Sequence, residues 1–269
     1  MNDTKFFFIT ICYNNKDGLK QTIASLQEQT YLNWSCLIID GNSIDGTREY
    51  LASLNQPSIR FTSEKDRGIY DAMNKGIAGI PDCDYFCFLN SGDTLYSSDV
   101  LDKLNSTIRS LTPSQKPKIV YGHTCESFPS GAEVIKPASS VIALQKGMFC
   151  HHQSMFFHQS LADLHYNLNY KLSADYDYIV RAMKRVQNPA DLMLVDSIIA
   201  RFDMSGASNK KRLLGIKEDF RLRIENGLCS SYFSAIYALR SISLMYLKRV
   251  SYPLYMLMRG RKIFTNSTT

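Results

Sequence analysis

Four short apolar runs, each passing into a polar loop, constrain the fold of this chain more than any other feature. FFFITIC from residue 6, WSCLIID from 34, IRFT from 59 and DYFCFL from 84 end in CYNN, DGNSIDGT, SEKDRG and NSGD. Runs of this length bounded by Gly, Asn, Ser and Asp read as buried strands. Between them DGLKQTIASLQEQT sets Leu19, Ile23 and Leu26 on one helical face, TREYLASLN reads as a second helix, and GIYDAMNKGIAG as a third, with Ile69, Met73 and Ile77 at helical spacing. Strands alternating with helices predict an α/β fold with a mostly parallel sheet covered on both faces. Ligands meet such sheets at the carboxyl ends of the strands. All four polar loops fall at that rim, where they can bring backbone amides and carboxylates together.

The second half is less regular. KIVYGHT reads as a strand, an irregular stretch leads to CHHQSMFF, and LSADYDYIVRAMKRV reads as a helix with Tyr176, Ile179, Val180 and Met183 as its buried stripe. Ser173 is a natural N-cap, which places Asp175 in the first turn. LMLVDSIIARFDMSGAS then gives strand and loop.

The chain has 269 residues and a net charge of +6. After Glu225 it has no acidic residue, while Arg240, Lys248, Arg249, Arg259, Arg261 and Lys262 add six positive charges. Residues 1 to 225 are therefore near neutrality, which argues against nucleic acid as a partner. Seven cysteines without metal-ribbon spacing, several inside apolar runs, fit free thiols in a reducing cytoplasm. FFFITIC is too short for a secretion signal and reads as a first strand.

A nucleotide presents a flat base, a ribose and a diphosphate, each calling for a different residue type. Tyr13 can face a base, Asp40 can accept hydrogen bonds from base or ribose, and Asp93, the sole carboxylate of NSGD, can hold a divalent cation. Lys75 and Arg67 offer charge to a diphosphate, or serve as solvated helix ends. Neither G-x-x-x-x-G-K nor G-x-G-x-x-G occurs at the first strand-helix turn, which weakens ATPase and dehydrogenase readings. Cys150, His151 and His152 lack zinc spacing, since adjacent ligands point in different directions.

Taken in order, CYNN, IIDGNSIDGTREYL, SEKDRGIYDAMNKGI, FLNSGD, HHQSMFF and SADYDYIVR resemble family 2 glycosyltransferases of the GT-A fold, in particular the colanic-acid-type bacterial exopolysaccharide transferases. The likeness covers roughly residues 5 to 208 and is carried most specifically by the run from Ser63 to Ile77. It implies a nucleotide-sugar donor, Mg²⁺ or Mn²⁺, and inversion at the anomeric carbon. Ile11 (through its backbone), Tyr13, Asp40 and Asp66 fall where the family holds the nucleoside, with Asn90, Ser91 and Gly92 preceding Asp93 at the end of the metal motif. Many relatives have D-x-D there, whereas this chain keeps one carboxylate. His152, with Gln153, matches a pair beside the donor sugar and acceptor, and Asp175 falls on the general base.

Inversion needs a carboxylate opposite the departing diphosphate. Asp175 meets that need from a rigid helix start; the alternative is a carboxylate that only complements the helix dipole, and Asp177 is a lesser candidate. The expected organisation is a catalytic domain over 1–210, with a nucleotide half (1–95) and an acceptor half (96–210), and an amphipathic helical tail over 211–269. That tail is interrupted by basic residues before it can span a bilayer. It lies either at an anionic membrane surface, at the inner face of the cell membrane, or against the catalytic domain or a second subunit. A membrane site suits a lipid-linked saccharide acceptor. The competing readings are a nucleotidyltransferase making a sugar nucleotide, which lacks its glycine-rich basic loop here, and a non-catalytic membrane adaptor.

Overall fold

The computed structural model describes residues 3–112, 115–205, 212–251, 254 and 262–264, with backbone alone at 248, 249 and 262–264. The first half alternates as expected: β1 (Phe6–Cys12), α1 (Lys16–Gln27), β2 (Trp34–Asp40), α2 (Thr47–Ser53), β3 (Ile59–Ser63), α3 (Ile69–Ala78) and β4 (Tyr85–Phe88). There follow β5 (Thr94–Leu95), α4 (Val100–Arg109), β6 (Ile119–Ser127), β7 (Glu133–Lys136), β8 (Met155–His158), α5 (Ala174–Lys184), β9 (Leu192–Asp203), α6 (Arg212–Glu225), α7 (Ser231–Val250) and β10 (Lys262–Phe264).

One mixed sheet runs β10-β7-β6-β8-β4-β1-β2-β3, and β9 joins it by pairing with β5 and β6. The β3-β2-β1-β4 portion is parallel, while β8 lies antiparallel to both β4 and β6. The parallel arrangement read from the sequence thus holds for the first half, and antiparallel pairing enters with β8.

Strand β1 shows how the layers form. Phe7 and Ile9 point into a cluster with Ala72, Met73 and Ile77 of α3 and Ile179 of α5. Phe6, Phe8 and Cys12 point the other way, against Leu19, Ile23 and Leu26 of α1, Leu51 of α2 and Leu101 of α4. A strand buried on both faces reads as a continuous apolar run, which is why alternation is missing from FFFITIC. Helix α3 sits close on β1: a Cβ at Gly76 would lie 2.3 Å from Ile9 Cγ2.

The C-terminal region divides by contact. Leu222 of α6 is fully buried in the α3/α5 cluster, and Leu244 and Leu247 of α7 pack with Phe128 against Val134. Tyr232, Leu239 and Tyr246 of α7 remain exposed. The expected boundary at 210, and Arg259 and Arg261, lie outside the described residues. Among the described residues no helix is long and apolar enough to cross a membrane.

Candidate active site

The four polar loops meet at the carboxyl edge of β1 to β4, and hydrogen bonds between them fix the rim. Gly41 N–H donates to Cys12 O (2.9 Å), Glu64 N–H to Asp40 O (3.0 Å) and Ser91 N–H to Ile11 O (3.1 Å). Asn14, at a φ of 48°, accepts from Ile44 N–H at 2.9 Å and donates its own N–H to Ser43 Oγ at 2.7 Å. Ile11, expected to act through its backbone, thus commits its carbonyl to the β4 loop.

Tyr13, Gly41 and Asp66 come together. A Cβ at Gly41 would lie 2.5 Å from Asp66 Oδ2 and 3.2 Å from Tyr13 Cδ2, so only a bare backbone lets the two side chains approach. Tyr13 presents an exposed ring. Asp66 Oδ1 accepts from Gly68 N–H (2.8 Å), an Asx turn into α3; Gly68 itself has a φ of 116°. Asp40 differs from expectation. It is fully buried, with one oxygen taken by the Ser43 hydroxyl and the other by the Ser63 hydroxyl (2.6 Å), so it staples the 41–44 loop to β3.

The 90–93 loop is pinned by α1. Asn15 Nδ2 donates to Ser91 O (3.1 Å) and Oγ (3.2 Å), Gly92 N–H donates to Thr22 Oγ1 (3.0 Å), and Thr22 Oγ1 donates to Asp93 O (2.7 Å). Asp93 is 4% exposed. Its Oδ2 accepts from Gln153 Nε2 at 2.8 Å and its Oδ1 from Asp203 N–H at 2.9 Å, while burial pushes its pKa up to about 7. This arrangement departs from the cation ligand expected. Its preceding neighbours Asn90, Ser91 and Gly92 bring no carboxylate, and among the described residues, which include every acidic residue of the chain, no group of three or more His, Cys, Asp or Glu is spaced for a metal. A hard cation takes six or more oxygen ligands, and both Asp93 oxygens already serve protein donors. The residues present do not form a ready cation site.

A second row of polar groups crosses from this loop to α5. Asn90 Nδ2 lies 3.4 Å from His152 Nε2, and His152 Nδ1 lies 3.7 Å from Asp175 Oδ2. Asp175 Oδ1 accepts from Tyr176 N–H (2.8 Å). Ser173 occupies the N-cap position of α5, yet its hydroxyl does not cap the helix; it donates to Asp219 Oδ1 (2.7 Å) of α6. Asp177 is buried and held by Arg181 Nε (2.7 Å) and Asn226 Nδ2 (3.2 Å), so it has no part at the rim.

The Ser63–Ile77 run joins the two halves. Tyr70 stacks on Tyr166 (5.4 Å), which stacks on Tyr178 of α5 (4.6 Å). Asn74 exchanges hydrogen bonds with the Tyr166 backbone (2.6 and 3.0 Å). Lys75 is paired with Glu64 (2.6 Å) and Arg67 with Asp71 (2.8 Å), so neither stands free for a diphosphate. Burial pushes the Cys150 thiol up to about 12, and it donates to Gly122 O; His151 faces Glu126 (3.1 Å) and His152 faces Asp175, so these three diverge. Gln153, Asp203 and Tyr70 are site residues that sequence reasoning did not single out. Only the pairing of His152 with Gln153 hinted at the first.

The sequence and the fold resemble those of known proteins. Residues 7–113 match the family profile described as Glycosyl transferase family 2. An uncharacterized glycosyltransferase of Mycobacterium tuberculosis is 29% identical over 218 residues, covering 79% of this chain and 80% of that protein. A PGL/p-HBAD biosynthesis glycosyltransferase of Mycobacterium bovis is 29% identical over 181 residues, covering 64% of this chain and 66% of that protein. Among solved structures, S. aureus TarS 1–349 in complex with UDP-GlcNAc superposes with a TM-score of 0.66 at 12% identity, over 88% of this chain and 71% of that one. The mannosyltransferase PcManGT of Pyrobaculum calidifontis, in complex with GDP-Man and Mn²⁺, gives 0.62 at 12% identity, over 97% and 74%. Residues 7–113 therefore resemble the Glycosyl transferase family 2 profile, and the chain as a whole has an α/β fold of the GT-A type.

Proposed function

We propose that this chain is an inverting glycosyltransferase that moves a sugar from a nucleotide-sugar donor to a hydroxyl of a saccharide or lipid-linked saccharide in bacterial surface polysaccharide synthesis. The observation that carries this reading is the meeting, at one sheet edge, of an exposed tyrosine and Asp66 over Gly41 with the Asn90–His152–Asp175 row. Tyr13 stacks on the base and Asp66 accepts from the nucleoside. Asp175 takes the proton of the attacking hydroxyl, while the diphosphate leaves from the opposite side. Asp93 acts by holding the loop under the donor, through Gln153 and the end of β9. The solved neighbours described with UDP-GlcNAc and with GDP-Man support the donor class.

The reading includes peripheral contact with an anionic membrane. Tyr232, Ile236, Leu239, Tyr246 and Val250 follow one face of α7 and are all exposed, and no acidic residue follows Glu225 in the sequence. A panel of UDP-, GDP- and dTDP-sugars, read by release of nucleoside diphosphate, tests the catalytic assignment. No release from any of them, together with no binding of any nucleoside diphosphate, refutes it.

A further inference from the structure

Between Lys171 and Asp177, five backbone N–H groups around Asp175 have acceptors. Glu218 of α6 takes three of them: Lys171 N–H on Oε1 (2.9 Å), and Leu172 (2.8 Å) and Ser173 (3.0 Å) on Oε2. Tyr176 donates to Asp175 Oδ1, and Asp177 to Ser173 O within the helix. Glu218 is 7% exposed. A buried carboxylate is stable as an acceptor of several N–H groups, and such charge-assisted bonds are shorter and stronger than neutral ones.

Its origin makes the contact informative. Glu218 lies 45 residues or more along the chain from its partners and outside residues 7–113. Leu222, one turn further along α6, is fully buried in the cluster that holds α3 and α5, which fixes the helix and so the carboxylate. The Ser173 hydroxyl turns to the same helix, donating to Asp219 Oδ1 and to Gly215 O (3.3 Å). Helix α6 thereby sets the start of α5 in space, and with it where the Asp175 side chain points.

We infer that Glu218 is a positioning residue for Asp175, acting through the three amides of residues 171–173. This rests on the reading of Asp175 as the base. Asp175 touches His152 with one oxygen and its own helix start with the other, so a main-chain shift at 173–175 moves both contacts together. Misplacement by about 1 Å costs such a group on the order of 10²-fold in rate.

Glu218→Gln tests it, because the amide keeps the shape and removes the charge and one accepting oxygen. The variant is expected to lose about tenfold or more in kcat, with donor KM and nucleoside diphosphate affinity within about twofold of wild type. Lys217→Gln, an exposed change on the same helix, is expected to leave both parameters unchanged. Amide hydrogen exchange reads the clamp without turnover: residues 171–173 are slow in the wild-type chain and fast in Glu218→Gln, with α3 unaltered. Wild-type kcat in Glu218→Gln, joint loss of rate and nucleotide binding on unfolding, or unprotected 171–173 amides in the wild-type chain would each overturn the assignment. Failure of the wild-type chain to turn over any nucleotide sugar would count against the glycosyltransferase reading, and the exchange measurement would still decide the clamp.

Discussion

His152 Nδ1 stands 3.7 Å from Asp175 Oδ2 while its other ring nitrogen faces Asn90 Nδ2 at 3.4 Å. The imidazole ring thus stands between the Asn90 amide and the Asp175 carboxylate. His152→Ala removes that ring from beside Asp175. We expect transfer to fall about tenfold to a hundredfold with nucleoside diphosphate affinity little changed, since the loss is confined to the acid-base step. Steady-state kinetics with titration calorimetry check this; equal loss of binding and rate would assign His152 to donor binding alone.

Gly41 is where the nucleoside wall is tightest. In Gly41→Ala the new Cβ falls 2.5 Å from Asp66 Oδ2, so Asp66 must move and loosen its bond to Gly68 N–H. Gly41 has no positive φ, so the fold tolerates the change. Nucleoside diphosphate affinity should drop about tenfold, or about 1.4 kcal/mol, with the melting temperature within about 3 °C of wild type. Undiminished affinity would remove Tyr13 and Asp66 from the nucleoside site.

Asp93 gives a pH signature. Burial pushes it to about 7 in the folded chain, against about 3.9 unfolded. Between those values the folded chain binds a proton that the unfolded chain does not, so its stabilising contribution is complete below about 4 and is lost as pH rises through about 7. His151, pulled down to about 4 by burial, has the opposite slope up to about 6.5. Asp93→Asn removes only the first term, so its stability relative to wild type should improve from pH 5 to pH 8. A pH-independent difference would contradict the buried, protein-bonded state of Asp93.

The same variant separates the two roles considered for Asp93. Where the carboxylate is a loop staple, Asp93→Asn should leave nucleoside diphosphate affinity within about threefold of wild type, with Mn²⁺ or with chelator. Loss of Mn²⁺-dependent affinity would restore Asp93 as a cation ligand.

For α7, Tyr232→Ser, Leu239→Ser and Tyr246→Ser combined should reduce binding to vesicles containing anionic lipid by more than about tenfold. The melting temperature should hold, because all three side chains are exposed. Unchanged sedimentation with vesicles would refute the membrane contact.

Much of the first half was legible because its signals are local. FFFITIC and its three successors announce strands within seven residues, and Ile69, Met73 and Ile77 announce the α3 stripe within nine. Asp66 and Tyr13 were legible as rim residues for the same reason. What the sequence hid depends on distance along the chain. The two donors to Asp93 lie 60 and 110 residues away, and without them a lone carboxylate in NSGD looks free for a cation. Asp40 was read as a ligand group because Ser63, 23 residues on, gives no local sign of taking it. Ser173 has the residue type of a cap, and only the packing of α6 turns its hydroxyl elsewhere. Strands β7 and β8 are four residues each, too short for periodicity to mark.

Asp175 as the general base is tested by comparing wild type with Asp175→Asn on any nucleotide sugar that the wild type turns over. Nucleoside diphosphate affinity is expected to stay within about twofold and transfer to slow by about 10²–10⁴-fold. An Asp175→Asn chain that transfers sugar at the wild-type rate would contradict that role.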